Sequence, residues 1–153
     1  MMAHYITFSI SITFISWIVG MILGEILKRT AFFKNLSNFN FFKSKRLNQR
    51  IGMNVFRWIV KNTFFKFFNA KIELKNKFTT ADLEELRKEM TYAEINHLIG
   101  FCMVTVFAFI ELVRGNYLFA LIFIIVNILM NLYPSLLQQE NKRRIDRLLK
   151  ICR

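Results

Sequence analysis

Apolar residues in this chain gather into three runs, Tyr5 to Leu27, Ile95 to Val113 and Tyr117 to Leu137, separated by polar stretches rich in lysine and arginine. As a helix, each run is long enough to cross a hydrocarbon layer of ~30 Å at ~1.5 Å per residue. The pattern predicts an all-α integral membrane protein with three transmembrane helices. It forms one membrane domain over residues 1–153, with spans at 5–27, 95–113 and 117–137. Residues 28–94 form a cytoplasmic and interfacial helical section, and residues 138–153 a basic cytoplasmic tail. Met1 to His4 lack Lys and Arg and no small-x-small cleavage site precedes Lys28-Arg29, so the first run is expected to be an uncleaved anchor.

The section between the first two spans is patterned rather than globular. From Arg50 to Asn69, polar Arg50, Asn54, Arg57 and Lys61 recur at helical spacing opposite Ile51, Val55, Trp58, Ile59, Phe64, Phe65 and Phe68. A basic face opposite Trp and Phe predicts an amphipathic helix lying in the membrane interface. The other reading, a core helix of a small soluble domain, would leave only ~60 residues to build a marginal core. Thr79-Thr80-Ala81-Asp82 then reads as a helix start, with a hydroxyl at the cap and Asp82, Glu84 and Glu85 in the first turn. No Pro or Gly follows until Gly100, so this helix is expected to run on into the second span.

Charge sets the direction of the spans. Of 22 Lys and Arg, 15 lie within residues 28–90 and six within 138–153, while the loop between the second and third spans holds only Arg114. The positive-inside rule then places the N-terminus outside and both basic segments in the cytoplasm. A net charge of +12 can signal nucleic acid, but charges that flank membrane spans are better explained by anionic lipid headgroups, each worth ~1 kcal/mol per basic residue. The 18 Phe in 153 residues also suit a lipid environment, and no nucleic-acid partner is expected. Cys102 and Cys152 read as free thiols.

Candidate chemistry concentrates where the second span meets the cytoplasm. Glu94 and His97 are an i, i+3 pair on one helix face, where a carboxylate can fix the tautomer of an imidazole. Arg114-Gly115-Asn116 predicts a tight hairpin, and His97 and Tyr133 are equidistant from Gly115. Around that level stand Asn131, Ser135, Gln138, Gln139 and Asn141, then Lys142, Arg143 and Arg144. Ionisable groups inside spans are expensive and normally face a cavity or a partner. The alternative is that Glu94 and His97 simply occupy the wet headgroup zone. Pro134 is expected to bend or end the third helix, and Asn127 to hydrogen-bond a neighbouring helix. Glu111 and Arg114 read as a structural pair at the outer edge, and Glu25 as a partner for Lys28 or Arg29.

Ala93-Glu94-Ile95-Asn96-His97-Leu98-Ile99, two spans, and then Asn131-Leu132-Tyr133-Pro134-Ser135-Leu136-Leu137-Gln138-Gln139-Glu140-Asn141-Lys142-Arg143-Arg144 resemble the glycosyl-4,4'-diaponeurosporenoate acyltransferase family of bacteria. The resemblance is clearest from about residue 83 onward. It implies a fatty acyl transfer to the sugar of a glycosylated carotenoid in the bacterial cell membrane, with Glu94, His97, Asn131, Gln138, Asn141 and Arg144 carried over. The chain departs from the family at Gln139 and Glu140, where an Arg-Tyr pair is usual, and at Lys142, where an Arg is usual and the planar guanidinium fork is lost.

Residues and resemblance together predict a site in which His97 is the general base, oriented by Glu94. Asn131 or Gln138 would donate to the oxyanion. Asn141 completes the polar array, and Arg143, Arg144 and Lys142 would hold the phosphates of an acyl-CoA or similar donor. The acyl chain and the lipid or carotenoid glycoside acceptor would lie among the Phe-rich spans. Direct transfer needs no tightly bound cofactor. The chain offers one Glu-x-x-His, whereas a di-iron site takes two with further carboxylates, so no metal is expected. The competing reading is a non-catalytic membrane subunit, or a lipid-binding partner of another enzyme. Three helices barely enclose a cavity, which leaves room for a homo-oligomer or a biosynthetic partner.

Overall fold

A computed structural model describes residues 2–31, 33, 36, 52–62 and 79–152, and every element among them is helical. Helix α1 spans Met2–Lys28, α2 Met53–Asn62, α3 Thr80–Val113 and α4 Tyr117–Cys152. Three of these, α1, α3 and α4, are long and apolar enough to cross a membrane.

Helix α1 faces the opposite way from an amphipathic helix in water. Its buried residues are Ser9, Thr13, Ser16, Gly20 and Gly24, whereas Ile18, Ile22 and Ile26 are all more than half exposed. Such a helix is stable only where the surroundings are themselves apolar, and small residues on the inner face let helix backbones approach closely. At Gly20 an added Cβ would lie 2.5 Å from the Asn96 carbonyl oxygen, and at Gly24 only 1.8 Å from Asn96 Oδ1. The Thr13 hydroxyl donates to Ser9 O at 2.8 Å and Ser16 to Thr13 O at 2.7 Å, so these two inner-face hydroxyls are satisfied within their own helix.

Contacts along α1 fix its direction. Tyr5 stacks on Phe119 at 4.3 Å, Trp17 Nε1 donates to Asn131 Oδ1 at 2.9 Å, and the Tyr92 hydroxyl donates to Met21 O at 3.0 Å. Helix α1 therefore runs parallel to α4 and antiparallel to α3, with its N-terminus on the side of the α3–α4 hairpin. Val104, Ala108 and Phe123 form the core of that half, joined by Ile12, Phe107 and Phe119.

The hairpin forms as the sequence predicts. Gly115 takes φ +80, Asn116 N–H donates to Glu111 O at 2.9 Å, and the Glu111 carboxylate accepts from Arg114 at 2.9 Å and Asn116 Nδ2 at 2.7 Å. At the other end, α3 starts at a capping box in which Asp82 N–H donates to Thr79 Oγ1 and Thr79 N–H to Asp82 Oδ2. The helix then continues unbroken into the second span. Thirty-four residues amount to about 50 Å, well beyond a ~30 Å hydrocarbon layer, so α3 projects from it.

Helix α4 projects too. The tail expected after residue 137 is helical to Cys152 and packs along α3, where Leu83, Leu86 and Met90 meet Ile145 and Leu149 beside an Arg87–Asp146 ion pair at 2.6 Å. Pro134 does not end the helix. Proline has no N–H to donate one turn back, and α4 accommodates it by widening into a π turn over Ile128–Leu132, where Tyr133 N–H donates to Ile128 O five residues earlier.

The predicted interfacial helix is described over Met53–Asn62. Arg50, Ile51, Phe64, Phe65 and Phe68 lie outside the described residues. Ten residues form a marginal helix alone. This one is held by packing, with Met53 and Val60 buried against Leu136 and Leu137, Phe56 against Tyr133 at 5.1 Å, and Arg57 bonded to Glu140 at 2.5 Å. Val55 and Trp58 remain 63% and 66% exposed on another side, which suits a helix with one flank in lipid.

Replacement of Gly24 by Ile is expected to force α1 away from Asn96 and lower stability by about 1–3 kcal/mol, as overpacking does. Thermal unfolding of detergent-solubilised protein measures it, and an unchanged midpoint would contradict the close α1–α3 contact.

Candidate functional site

The site is built from polar side chains that α1, α3 and α4 turn toward one another, arranged in layers. Deepest is Asn127, whose Nδ2 donates to Phe101 O at 2.9 Å and Thr105 Oγ1 at 3.1 Å, the inter-helix bond expected from the sequence. One turn on, inside the π turn, Asn131 is fully buried. Its Nδ2 donates to Asn127 Oδ1 at 2.8 Å and toward Ser16 Oγ at 3.4 Å, while its Oδ1 accepts from Trp17. Gly100 leaves room for this web, since a Cβ there would stand 3.0 Å from both Asn131 Oδ1 and Ser16 Oγ.

His97 occupies the next layer. Its ring meets Trp17 edge to face at 5.8 Å, and Asn131 is its hydrogen-bonding neighbour. Its Nδ1 is buried without a hydrogen-bond partner among the described residues. Ser135, one turn after Asn131, is fully buried, and its Oγ likewise has no partner there.

Above these sits Glu94, with no exposed surface. The carboxylate that the sequence pairs with His97 turns instead to α4, where Gln139 Nε2 donates to Oε1 at 2.7 Å and Lys142 Nζ forms an ion pair with Oε2. A buried carboxylate is tolerable when it is both paired and hydrogen-bonded, and this one is. The headgroup-zone reading does not fit a residue closed between two helices.

The remaining sequence candidates lie along the same helix. Gln138 and Asn141 are half-buried. Arg143 is half-buried within electrostatic reach of Glu140 and Glu94. Arg144 is exposed and bonds Glu140 at 3.2 Å, so Glu140 joins Arg57 and Arg144 in one cluster. Lys142, counted from the sequence among the phosphate-binding cations, is committed to Glu94. Gln139 and Lys142, read as departures from a family pattern, are thus the two partners of the buried acid. Their signal was spacing, because Ser135, Gln139, Lys142 and Asp146 share one helical face and Arg87, Glu94 and His97 rise along the opposing helix.

Lys142→Met is expected to destabilise the protein by about 3–5 kcal/mol by leaving Glu94 buried and unpaired, and adding Glu94→Gln should recover most of the loss. Unfolding midpoints of the single and double variants test this, and additive losses would contradict it.

No curated protein and no solved structure matches the chain. Residues 28–151, the greater part of its length, match the family model for glycosyl-4,4'-diaponeurosporenoate acyltransferase. The match begins at the end of α1 and takes in α2, α3 and nearly all of α4, and with them Glu94, His97, Asn131, Gln139 and Lys142. With its three membrane-length helices and the buried polar layers between them, this chain belongs to the glycosyl-4,4'-diaponeurosporenoate acyltransferase family.

Proposed function

We propose that the protein is a membrane O-acyltransferase that moves a fatty acyl group from an acyl thioester, such as acyl-CoA, to a hydroxyl of a lipid acceptor. The family makes the sugar of a glycosylated carotenoid the leading acceptor. The observation that carries the reading is His97, a histidine inside a membrane-length helix whose buried Nδ1 has no partner among the described residues while Asn131 engages the ring. Nδ1 is then the lone pair available to a substrate proton, and Asn131 Oδ1 is the acceptor that would hold Nε2–H and fix the tautomer.

In the forward step the acceptor hydroxyl gives its proton to Nδ1 as its oxygen bonds to the thioester carbonyl carbon. The tetrahedral intermediate collapses, the carbon–sulfur bond breaks, and the leaving thiolate takes the proton from His97. Glu94 acts at one remove, since its bonds to Gln139 and Lys142 tie α3 to α4 beside the base. Asn131 is a positioning residue too, because both its amide hydrogens and its carbonyl are engaged. Gln138, Asn141, Arg143 and Arg144 lie toward the projecting end, where the polar part of the donor would sit, with guanidinium groups for its phosphates. Acyl and polyene chains would occupy the lipid-facing grooves. The positive-inside rule puts this end in the cytoplasm of a bacterial cell, with the N-terminus outside.

His97→Ala is expected to reduce transfer about 10²–10⁴-fold at equal membrane levels of protein. Lipid mass spectrometry of cells lacking the protein, restored with the native chain or restored with the variant, reads the mass of one acyl group. Full restoration by His97→Ala would reject the base and favour a non-catalytic subunit.

A further inference from the structure

An acyl transfer through a tetrahedral intermediate needs a donor for the carbonyl oxygen as it becomes negative. Two buried amides of α4 on this face are already engaged. Asn131 Nδ2 is shared between Asn127 and Ser16, and Gln139 Nε2 is held by Glu94. Diverting either would break a buried bond at the moment of reaction.

Ser135 is differently placed. Hydroxyls in mid-helix usually bond the carbonyl one turn back, as Thr13, Thr91 and Thr105 do here. Ser135 Oγ, like Ser9 Oγ on α1, has no such partner among the described residues, although the residue has no exposed surface. It lies one turn from Asn131 and one turn from Gln139, on the face of α4 that meets α3. Since Asn131 engages His97 and Gln139 engages Glu94, Ser135 falls between the His97 and Glu94 levels. Two buried polar atoms without partners among the described residues, one a lone pair and the other a hydroxyl, therefore stand at neighbouring levels between the same helices.

We propose that Ser135 is a catalytic residue whose hydroxyl donates to the carbonyl oxygen of the acyl donor during transfer. The assignment rests on the acyltransferase reading above. His97 takes the acceptor's proton at Nδ1, and the new carbon–oxygen bond forms. The carbonyl oxygen, now carrying the electron pair, accepts the Ser135 O–H, and the pair returns to the carbonyl as the carbon–sulfur bond breaks and the thiolate leaves with the proton. Ser135 gives up no proton and forms no covalent bond. Such a donor works best where water is excluded, and a buried hydroxyl without a partner is ready to donate.

The test uses the purified full-length chain with palmitoyl-CoA as donor and glucosyl-4,4'-diaponeurosporenoate as acceptor. Native protein, Ser135→Ala, Ser135→Thr and His97→Ala are compared for kcat, KM and thermal midpoint. Ser135→Ala should lower kcat about 10²–10³-fold with KM for palmitoyl-CoA little changed. It should keep or raise the melting temperature, because an unsatisfied buried hydroxyl is removed. Ser135→Thr, which retains the hydroxyl, should recover part of the lost rate. Native activity that is lost in His97→Ala but kept in Ser135→Ala overturns the Ser135 assignment and leaves the acyltransferase reading standing. A Ser135→Ala protein whose stability and activity fall together makes the residue structural and also overturns it. A stable acyl group on Ser135 in the native protein, found by intact mass, would replace donation with covalent catalysis. No transfer by the native chain would overturn both readings.

Discussion

Glu94 has no contact with solvent, and a carboxylate in that position persists only if the protein supplies what water would have given it. Gln139 and Lys142 supply it from the facing helix. The exchange is strict in both directions, because Lys142 is nearly as buried and would be equally unfavourable without Glu94. The pair therefore acts as a register pin. Sliding or rotating α4 against α3 separates the charges, and apolar packing at Leu83, Met90, Ile145 and Leu149 could not make up the loss by finding a new alignment. With that register fixed, Asn131 comes to His97 and Ser135 falls between them and the ion pair.

The same logic extends across the spans. In an apolar surrounding a polar side chain gains by finding its partner within the protein, and Ser16, Trp17, Asn127 and Asn131 are drawn into one web spanning α1 and α4, with Phe101 and Thr105 contributed by α3. Glycines at 20, 24 and 100 let the backbones come close enough for the web to close. The π turn belongs to this design. It accepts Pro134 without ending the helix and places Asn131 inside the bundle. Site and scaffold are thus made by the same few residues, and His97 Nδ1 and Ser135 Oγ, like Ser9 Oγ and Asn96 Oδ1, are buried without a hydrogen-bond partner among the described residues.

Much of the architecture is legible in the sequence because its causes are local. Span lengths follow from apolar runs, the hairpin from Gly115, the start of α3 from Thr79 and Asp82, and the unbroken run into the second span from the lack of Pro and Gly before Gly100. What depends on facing between helices is not local. Counting from Gly115 pairs His97 with Tyr133, yet Tyr133 turns to Phe56 on α2 and Asn131 takes the place beside His97. An i, i+3 spacing shows that Glu94 and His97 share a face, but not that two residues of α4 bind the carboxylate more strongly than the imidazole could. The pairing of Lys142 with Glu94 is hidden from the sequence for the same reason. A basic residue past a span reads as surface charge until the helix is seen to continue with its inner face intact.

The most direct test of this account exchanges the two charges that pin the register. Glu94→Lys and Lys142→Glu are introduced singly and together, and acyl transfer to the glycosylated carotenoid is followed by lipid mass spectrometry at matched membrane levels. Each single variant should lose the acylated product, and the double variant should recover a substantial part of it, because the pair is restored in reverse and His97 returns to Asn131. Activity retained in either single variant, or no recovery in a stably inserted double variant, would contradict the claim that this buried pair sets the alignment on which the site depends.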